Sequence, residues 1–188
     1  NKLLRRIYPF VLWFLFFFAA FRFEVGCDWP KYMSDYKVAL PNIRFSFFTG
    51  AELFLPLYRI ITFALQSLGL SYVWLNVTYA SVFFYGVSAL AKRQLDPLGT
   101  LTLMFPVLVM NMPMGGIRQG GAVGVMCLAY LSFIDKKLIK YISLTVLAAF
   151  FHPSAIIFLA LAPFVRSGLS LKQVFLAILP AIPFAYIL

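Results

Sequence analysis

Long apolar runs separated by short basic turns dominate the chain. Residues 7–21, IYPFVLWFLFFFAAF, form the first run, closed by Arg22. Residues 72–91 form the second, closed by Lys92 and Arg93, and 98–112 a third that runs into a break at 111–116. Residues 117–134 and 141–162 flank the basic turn from Asp135 to Lys140, and a last run begins near Val174. A run of roughly 18 apolar residues is the length that crosses a hydrocarbon core. The pattern predicts an all-α integral membrane protein: one polytopic helical bundle over 1–188, with about six transmembrane helices.

Two stretches depart from that pattern. Residues 22–52 are polar and hold four of the six acidic residues, Glu24, Asp28, Asp35 and Glu52. Gly26 and Pro30 bracket Asp28 and predict a turn there, within a long loop that follows the first span. Residues 53–69, LFLPLYRIITFALQSLG, are long enough to span, yet Arg59, Thr62 and Gln66 recur at spacings of three and four. One polar stripe on an otherwise apolar helix is the pattern of a helix lying in the membrane interface. The basic clusters arbitrate. Lys2/Arg5/Arg6, Lys92/Arg93 and Lys136/Lys137/Lys140 share one side of the membrane only if 53–69 does not cross it. The positive-inside bias favours that arrangement. Residues 22–71 then form an extracytoplasmic loop with an interfacial helix at 53–69.

Composition agrees. The 188 residues are 63% hydrophobic, 19% aromatic and 12% charged, against about 25% charged in a soluble domain. The net charge of +10 is scattered between spans, so a nucleic-acid partner is not expected. Cys127 falls in an apolar run and Cys27 in the polar loop, too far apart for a disulfide. The first run lacks a small-residue cleavage site and reads as a retained span. The chain starts on Asn and stops inside an apolar run, which suggests a fragment of a longer protein.

The hairpin 115–160 carries the candidate chemistry. Arg118 opens its first run after a Gly-Gly pair, and His152, the one histidine, sits in the second. A charge at such a place is costly unless paired or facing water. Helix N-termini bind phosphate, and an adjacent Arg strengthens this, so a diphosphate is the natural ligand; Gln119 can add a hydrogen bond. The alternative is that Arg118 snorkels to headgroups and His152 bonds a helix carbonyl. With antiparallel helices about a centre near Lys137, His152 lies roughly 6–8 Å deeper than Arg118. Asp28, beside Trp29 and Tyr32, can act as a general base or bind a cation, or be a solvated loop aspartate. Glu52 can cap the helix that follows it. One His and two separated Cys make no zinc site, so no metal is expected, and no cofactor. A Ser154–His152–Asp28 triad is disfavoured, because two residues along one helix turn the side chains about 200° apart.

Taken in order, these residues make a pattern: Arg22, Gly26, Asp28 and Tyr32 after a first span, Glu52 opening an apolar helix, Arg118-Gln119 at a helix start, then Phe151-His152 and Ser154. This set resembles the EpsG family, Wzy-like membrane proteins of bacterial exopolysaccharide and O-antigen synthesis. Gly120-Gly121-Ala122 departs mildly from the family's habit of an aliphatic residue and then Ala after the Arg-Gln pair. The resemblance implies a glycosyltransferase-C-like bundle in the bacterial inner membrane, with its site facing outside. It implies a polymerase of undecaprenyl-diphosphate-linked oligosaccharide repeat units, with membrane lipid, a flippase and a chain-length regulator as partners. Asp28, Arg118 and His152 would then be catalytic, and Arg22, Tyr32, Glu52 and Gln119 substrate-binding. A flippase for the lipid-linked unit, or an acyltransferase using His152 as base, are the rival readings.

Overall fold

The computed structural model describes residues 2–46 and 56–166; Glu52 and the run expected from Val174 lie outside them. All regular structure among the described residues is helical. The order is α1 (Lys2–Ala20), α2 (Trp29–Ser46), α3 (Pro56–Ser67), α4 (Val73–Lys92), α5 (Pro97–Met104), a π-helical segment (Phe105–Val109), α6 (Ile117–Ile134), α7 (Leu138–Phe151) and a 3-10 segment (Pro153–Val165). Three helices, α1, α4 and α6, are long and apolar enough to cross a membrane. The stretches 98–112 and 141–162, expected as uniform spans, are each interrupted.

The interruptions have local causes. Asp96 starts α5, its carboxylate accepting from the Leu98 and Gly99 amides at 3.1 and 3.0 Å. Pro106 has no N–H to give the carbonyl four residues back, and the ladder widens until Met110 N–H reaches Phe105. In the second case the residue before a proline is pushed out of the α region. His152, before Pro153, is extended at φ −149°, ψ 126°, so α7 ends there and a tighter helix takes over.

Close backbone approach holds α4 to α6. A Cβ on Gly86 would overlap the Gly124 carbonyl, and one on Gly124 would lie 2.6 Å from Phe83 Cα. Glycine here lets two backbones touch, as membrane helices without a hydrophobic drive require. Helix α1 packs antiparallel on α4: the Tyr8 hydroxyl donates to Ser88 Oγ at 3.3 Å, and Phe16 meets Phe84 edge-on with ring centroids 6.1 Å apart, within the roughly 4.5–7 Å of such pairs.

These contacts fix which ends meet. Arg93 at the end of α4 forms a two-point ion pair with Asp135 at the end of α6, at 2.9 and 3.1 Å, and Lys137 joins at 3.1 Å. Arg93, then Lys137, hold the Asp135 carboxyl below its ordinary range. That contribution is present above the ordinary carboxylate pKa and is lost as pH falls through the depressed one. Arg5 and Lys92 line one groove of about 710 Å³ between α1 and α4. All three basic clusters therefore gather at one end of the bundle. The segment from Phe21 to Tyr72 starts and finishes at the other end.

That segment is not the irregular loop its polarity predicts. Helix α2 runs through it for 18 residues. Tyr32 and Tyr36, one turn apart, are buried; the Tyr36 hydroxyl donates to the Leu70 carbonyl at 2.8 Å, and the Gln66 amide donates to the Tyr36 carbonyl. On α3 the polar stripe faces inward. Thr62 is 2% exposed, whereas Ile60, Phe63 and the following Leu68 face out. This inverts the soluble pattern and fits a helix whose outer surroundings are apolar.

Candidate functional site

The site is built at the end of the bundle opposite the basic clusters. Three segments meet there: the 22–28 loop, the 111–116 break and the junction of α7 with the 3-10 segment. Gly26 joins the first two. Its φ of +107° suits glycine, and a Cβ there would overlap the Met114 carbonyl. Asp28 is thus two residues from a contact that lies four residues before Arg118.

Arg118 is the centre of the arrangement. Its guanidinium lies over the Tyr32 and Tyr58 rings, 5.4 and 5.5 Å from their centroids, and its Nε donates to the Tyr32 hydroxyl at 3.3 Å. No carboxylate pairs with it among the described residues. The aromatic wall continues from Tyr58 to Tyr79 at 6.4 Å and from Tyr79 to Phe151 at 5.5 Å. The Tyr58 and Tyr79 hydroxyls and the Thr62 hydroxyl are buried with no hydrogen-bond partner among the described residues. Burial pushes the Tyr58 phenol up; the Asp35 carboxylate adds to this and Arg118 opposes it. A half-buried cation in a tyrosine cage, with spare hydroxyls beside it, is suited to an anion that also offers hydrogen-bonding groups.

The glycines after Arg118 serve this packing. A Cβ on Gly121 would press on the Phe151 and Tyr79 rings at 2.6 and 2.9 Å, and one on Gly120 would meet the Met112–Pro113 backbone at 3.1–3.2 Å. The Gly-Gly pair that departs from the family's habit is where α6 accepts α7 and the 111–116 break. Phe151 against Gly121 also corrects the expected depth of His152. It lies about level with Gly120, roughly 3 Å below Arg118 at 1.5 Å per residue, rather than 6–8 Å.

The other expected residues separate. Tyr32 is at the centre, as described. Arg22 is 8% exposed and holds the backbone: Nη1 donates to the Ala19 carbonyl at 3.0 Å and Nε to the Val25 carbonyl at 3.2 Å. It closes the C-terminus of α1, where a cation is favoured, and burial lowers its pKa. The Gln119 amide oxygen folds back over Gly116, the residue before the helix, whose N–H bonds the Asn111 carbonyl at 3.2 Å. Asp28 is exposed at the start of α2, and its carbonyl accepts from the Tyr32 amide at 3.1 Å. It shares a face with Tyr32, one turn away.

His152 and Ser154 overturn the helical-wheel argument. The turn made by Pro153 brings Ser154 Oγ to 2.7 Å from His152 Nδ1, and the Ser154 amide donates to the same nitrogen at 3.4 Å. The pair are neighbours because the chain is not helical at His152. The geometry is that of a helix cap, with Nδ1 accepting. It leaves Nε2 as the nitrogen for chemistry. Ser154→Ala leaves the Ser154 amide on Nδ1, so the purified variant is expected to melt within about 4 °C of the parent; failure to fold would make Ser154 more than a cap.

Tyr58 and Tyr79 were missed by sequence reasoning. A signal existed: Tyr58, Thr62 and Gln66 follow one another at four-residue spacing, a better match to one helix face than Arg59 with them. Among the described residues no group of His, Cys, Asp and Glu is placed to hold a metal. Neither a curated protein nor a solved structure matches the chain closely enough to count as a relative. The EpsG family model matches residues 5–188, from the basic end of α1 through the tyrosine cage and beyond, and the chain belongs to the EpsG family.

Proposed function

We propose that this protein is a polysaccharide polymerase of the bacterial inner membrane, joining undecaprenyl-diphosphate-linked oligosaccharide repeat units on the outer face. The observation that carries the reading is Arg118: a cation with no carboxylate partner among the described residues, stacked in tyrosines, at the end of the bundle away from every basic cluster. Family membership supplies the polymerase class. A basic end facing the cytoplasm turns the Arg118 end outward, where α2 and α3 would lie over the membrane surface. At 12 residues α3 is about 18 Å long, short of the ~30 Å core. With α5, α7 and the final run as further crossings, the layout would be that of a six-span, glycosyltransferase-C-like bundle.

In this mechanism Arg118 and the first amides of α6 hold the donor diphosphate. An acceptor sugar hydroxyl attacks the anomeric carbon. The new glycosidic C–O bond forms as the bond from that carbon to the diphosphate breaks. Asp28 takes the hydroxyl proton, undecaprenyl diphosphate leaves with the bonding pair, and Arg118 stabilises its charge. His152, a few ångströms deeper, donates from Nε2 to a substrate oxygen. Arg22 and Gln119 act by holding the loop and the helix start; Glu52 would join from the approach to α3. A flippase delivers the units and a chain-length regulator sets when synthesis stops. A lipid-unit flippase would use the same Arg118, but its loss would trap unpolymerised units inside.

The deciding experiment is replacement of Arg118, developed in the Discussion. Sidedness has its own test. Cys27 is exposed, and a membrane-impermeant maleimide is expected to label it on intact cells, with buried Cys127 left unmodified. Labelling only after the cells are opened would place the Asp28 loop on the wrong side for this function.

A further inference from the structure

A second cavity, of about 190 Å³, lies beside the cage, between the 22–25 loop, α2 and the start of α4. Helix α2 divides the two. Tyr32 faces the cage, Tyr36 packs on Tyr72, and Trp29 and Met33, one turn apart, line the cavity. Its polar groups are few. Asn76 is 2% exposed and its amide N–H bonds the Tyr72 hydroxyl, which leaves its Oδ1 buried with no hydrogen-bond partner among the described residues. A buried amide oxygen without a partner is costly, and such an atom in a native structure points to something it binds. At the mouth, Glu24 holds a left-handed φ of 54°, a conformation that a non-glycine residue keeps only where its surroundings impose it.

We infer that this cavity is a subsite for one pyranose ring of the repeat unit; the inference rests on the polymerase reading and deepens it. A pyranose has an apolar C–H face and a rim of hydroxyls. Trp29 offers a flat apolar wall, and Asn76 Oδ1, held by the bond to Tyr72, offers an acceptor at one end. Ligand sites of this kind are mostly apolar with a few placed polar groups. The volume is below the roughly 300–1,000 Å³ of drug-sized pockets, so one ring fits and an oligosaccharide does not. The wall is mixed, with Arg22, Glu24 and Ser71 lining it beside the aromatic and aliphatic residues, as the hydroxyl rim and apolar face of a pyranose require. With the diphosphate on Arg118, a sugar held across α2 would be gripped independently of the charge. Arg22, pinned to Ala19 and Val25, fixes the loop that forms the cavity's edge.

The test uses the chain's three tryptophans. Trp13→Phe with Trp74→Phe leaves Trp29 as the single indole. The protein, purified from its own membrane, is titrated with each monosaccharide released by hydrolysis of the cell's polysaccharide. One of them is expected to give a saturable change in Trp29 fluorescence. Asn76→Ala should weaken its apparent affinity about tenfold, the size of one lost hydrogen bond to a buried partner, and Arg118→Ala should not change it. If Asn76→Ala does not fold, Tyr72→Phe removes one hydroxyl and keeps the ring, with weakening again expected. No saturation by any sugar, or equal titration of the folded variants and the parent, overturns the subsite. The two readings fail separately: polymer lost in Arg118→Ala without sugar titration sinks only the subsite, and sugar titration with full polymer in Arg118→Ala sinks only the role given to Arg118.

Discussion

Arg118→Ala is expected to abolish long polysaccharide while single repeat units persist. Removing a preorganised group aimed at developing charge costs about 10²–10³ in rate, enough to erase a ladder of long chains on a gel. The fold should survive. Among the described residues the guanidinium has no carboxylate to leave stranded, and the Tyr32 hydroxyl is its hydrogen-bond partner. Arg118→Lys keeps the charge but loses the planar face that lies over Tyr32 and Tyr58, together with two-point binding of phosphate. It should make polymer that is shorter and scarcer than the parent's. Undiminished polymer from Arg118→Ala, at equal protein level, would remove the residue from the mechanism. Single units trapped inside the cell would favour the flippase.

Gly124→Leu is expected to have the largest effect on the protein itself. A Cβ at that position would lie 2.5 Å from the Val82 carbonyl oxygen and 2.6 Å from Phe83 Cα. These are backbone atoms and cannot swing aside as a side chain can. Overpacking of a tight core costs about 1–3 kcal/mol, and separating α4 from α6 would also disturb the Gly121–Tyr79–Phe151 contacts beside Arg118. The readout is the melting of purified protein in detergent, followed by size-exclusion fluorescence, with a fall of several degrees or loss of the monodisperse peak. Gly69→Ala is the control. There a Cβ meets nothing within 4 Å, and the cost comes only from its φ of +68°. Equal melting of Gly124→Leu and the parent would refute the close crossing.

The helical membrane class and the shared side of the basic turns were legible because both follow from charge and apolar length. Lys92/Arg93 and Lys136/Lys137 had to meet if two crossings separate them, and Arg93 bonded to Asp135 is that meeting. Arg118 was legible because a cation opening an apolar run is expensive. Helix α2 was not. Its sequence, WPKYMSDYKVALPNIRFS, has no apolar period, and the buried positions among its described side chains are two tyrosines that acquire partners only when α3 and Leu70 arrive. Tyr79 was hidden for the same reason: in an apolar run a tyrosine reads as lipid-facing until Tyr58 and Phe151 enclose it. The break at His152 could have been read. Pro153 follows it, and a residue before proline avoids the α region; apolar length outweighed that signal. The same error turned Ser154 away from His152 on paper.

The parallel pairing of α4 with α6 also bears on how the protein is made. Gly86 and Gly124 are 38 residues apart in the chain, so at roughly 5–20 residues per second the first waits about 2–8 s for the second to leave the ribosome. Through that interval α4 must reside in the insertion machinery or in lipid without its closest partner, resting on the elements made before it, with Tyr8 of α1 already able to bond Ser88. Variants at the glycine crossing would then be caught by quality-control proteases during synthesis, and their low abundance would precede any loss of stability in the finished molecule.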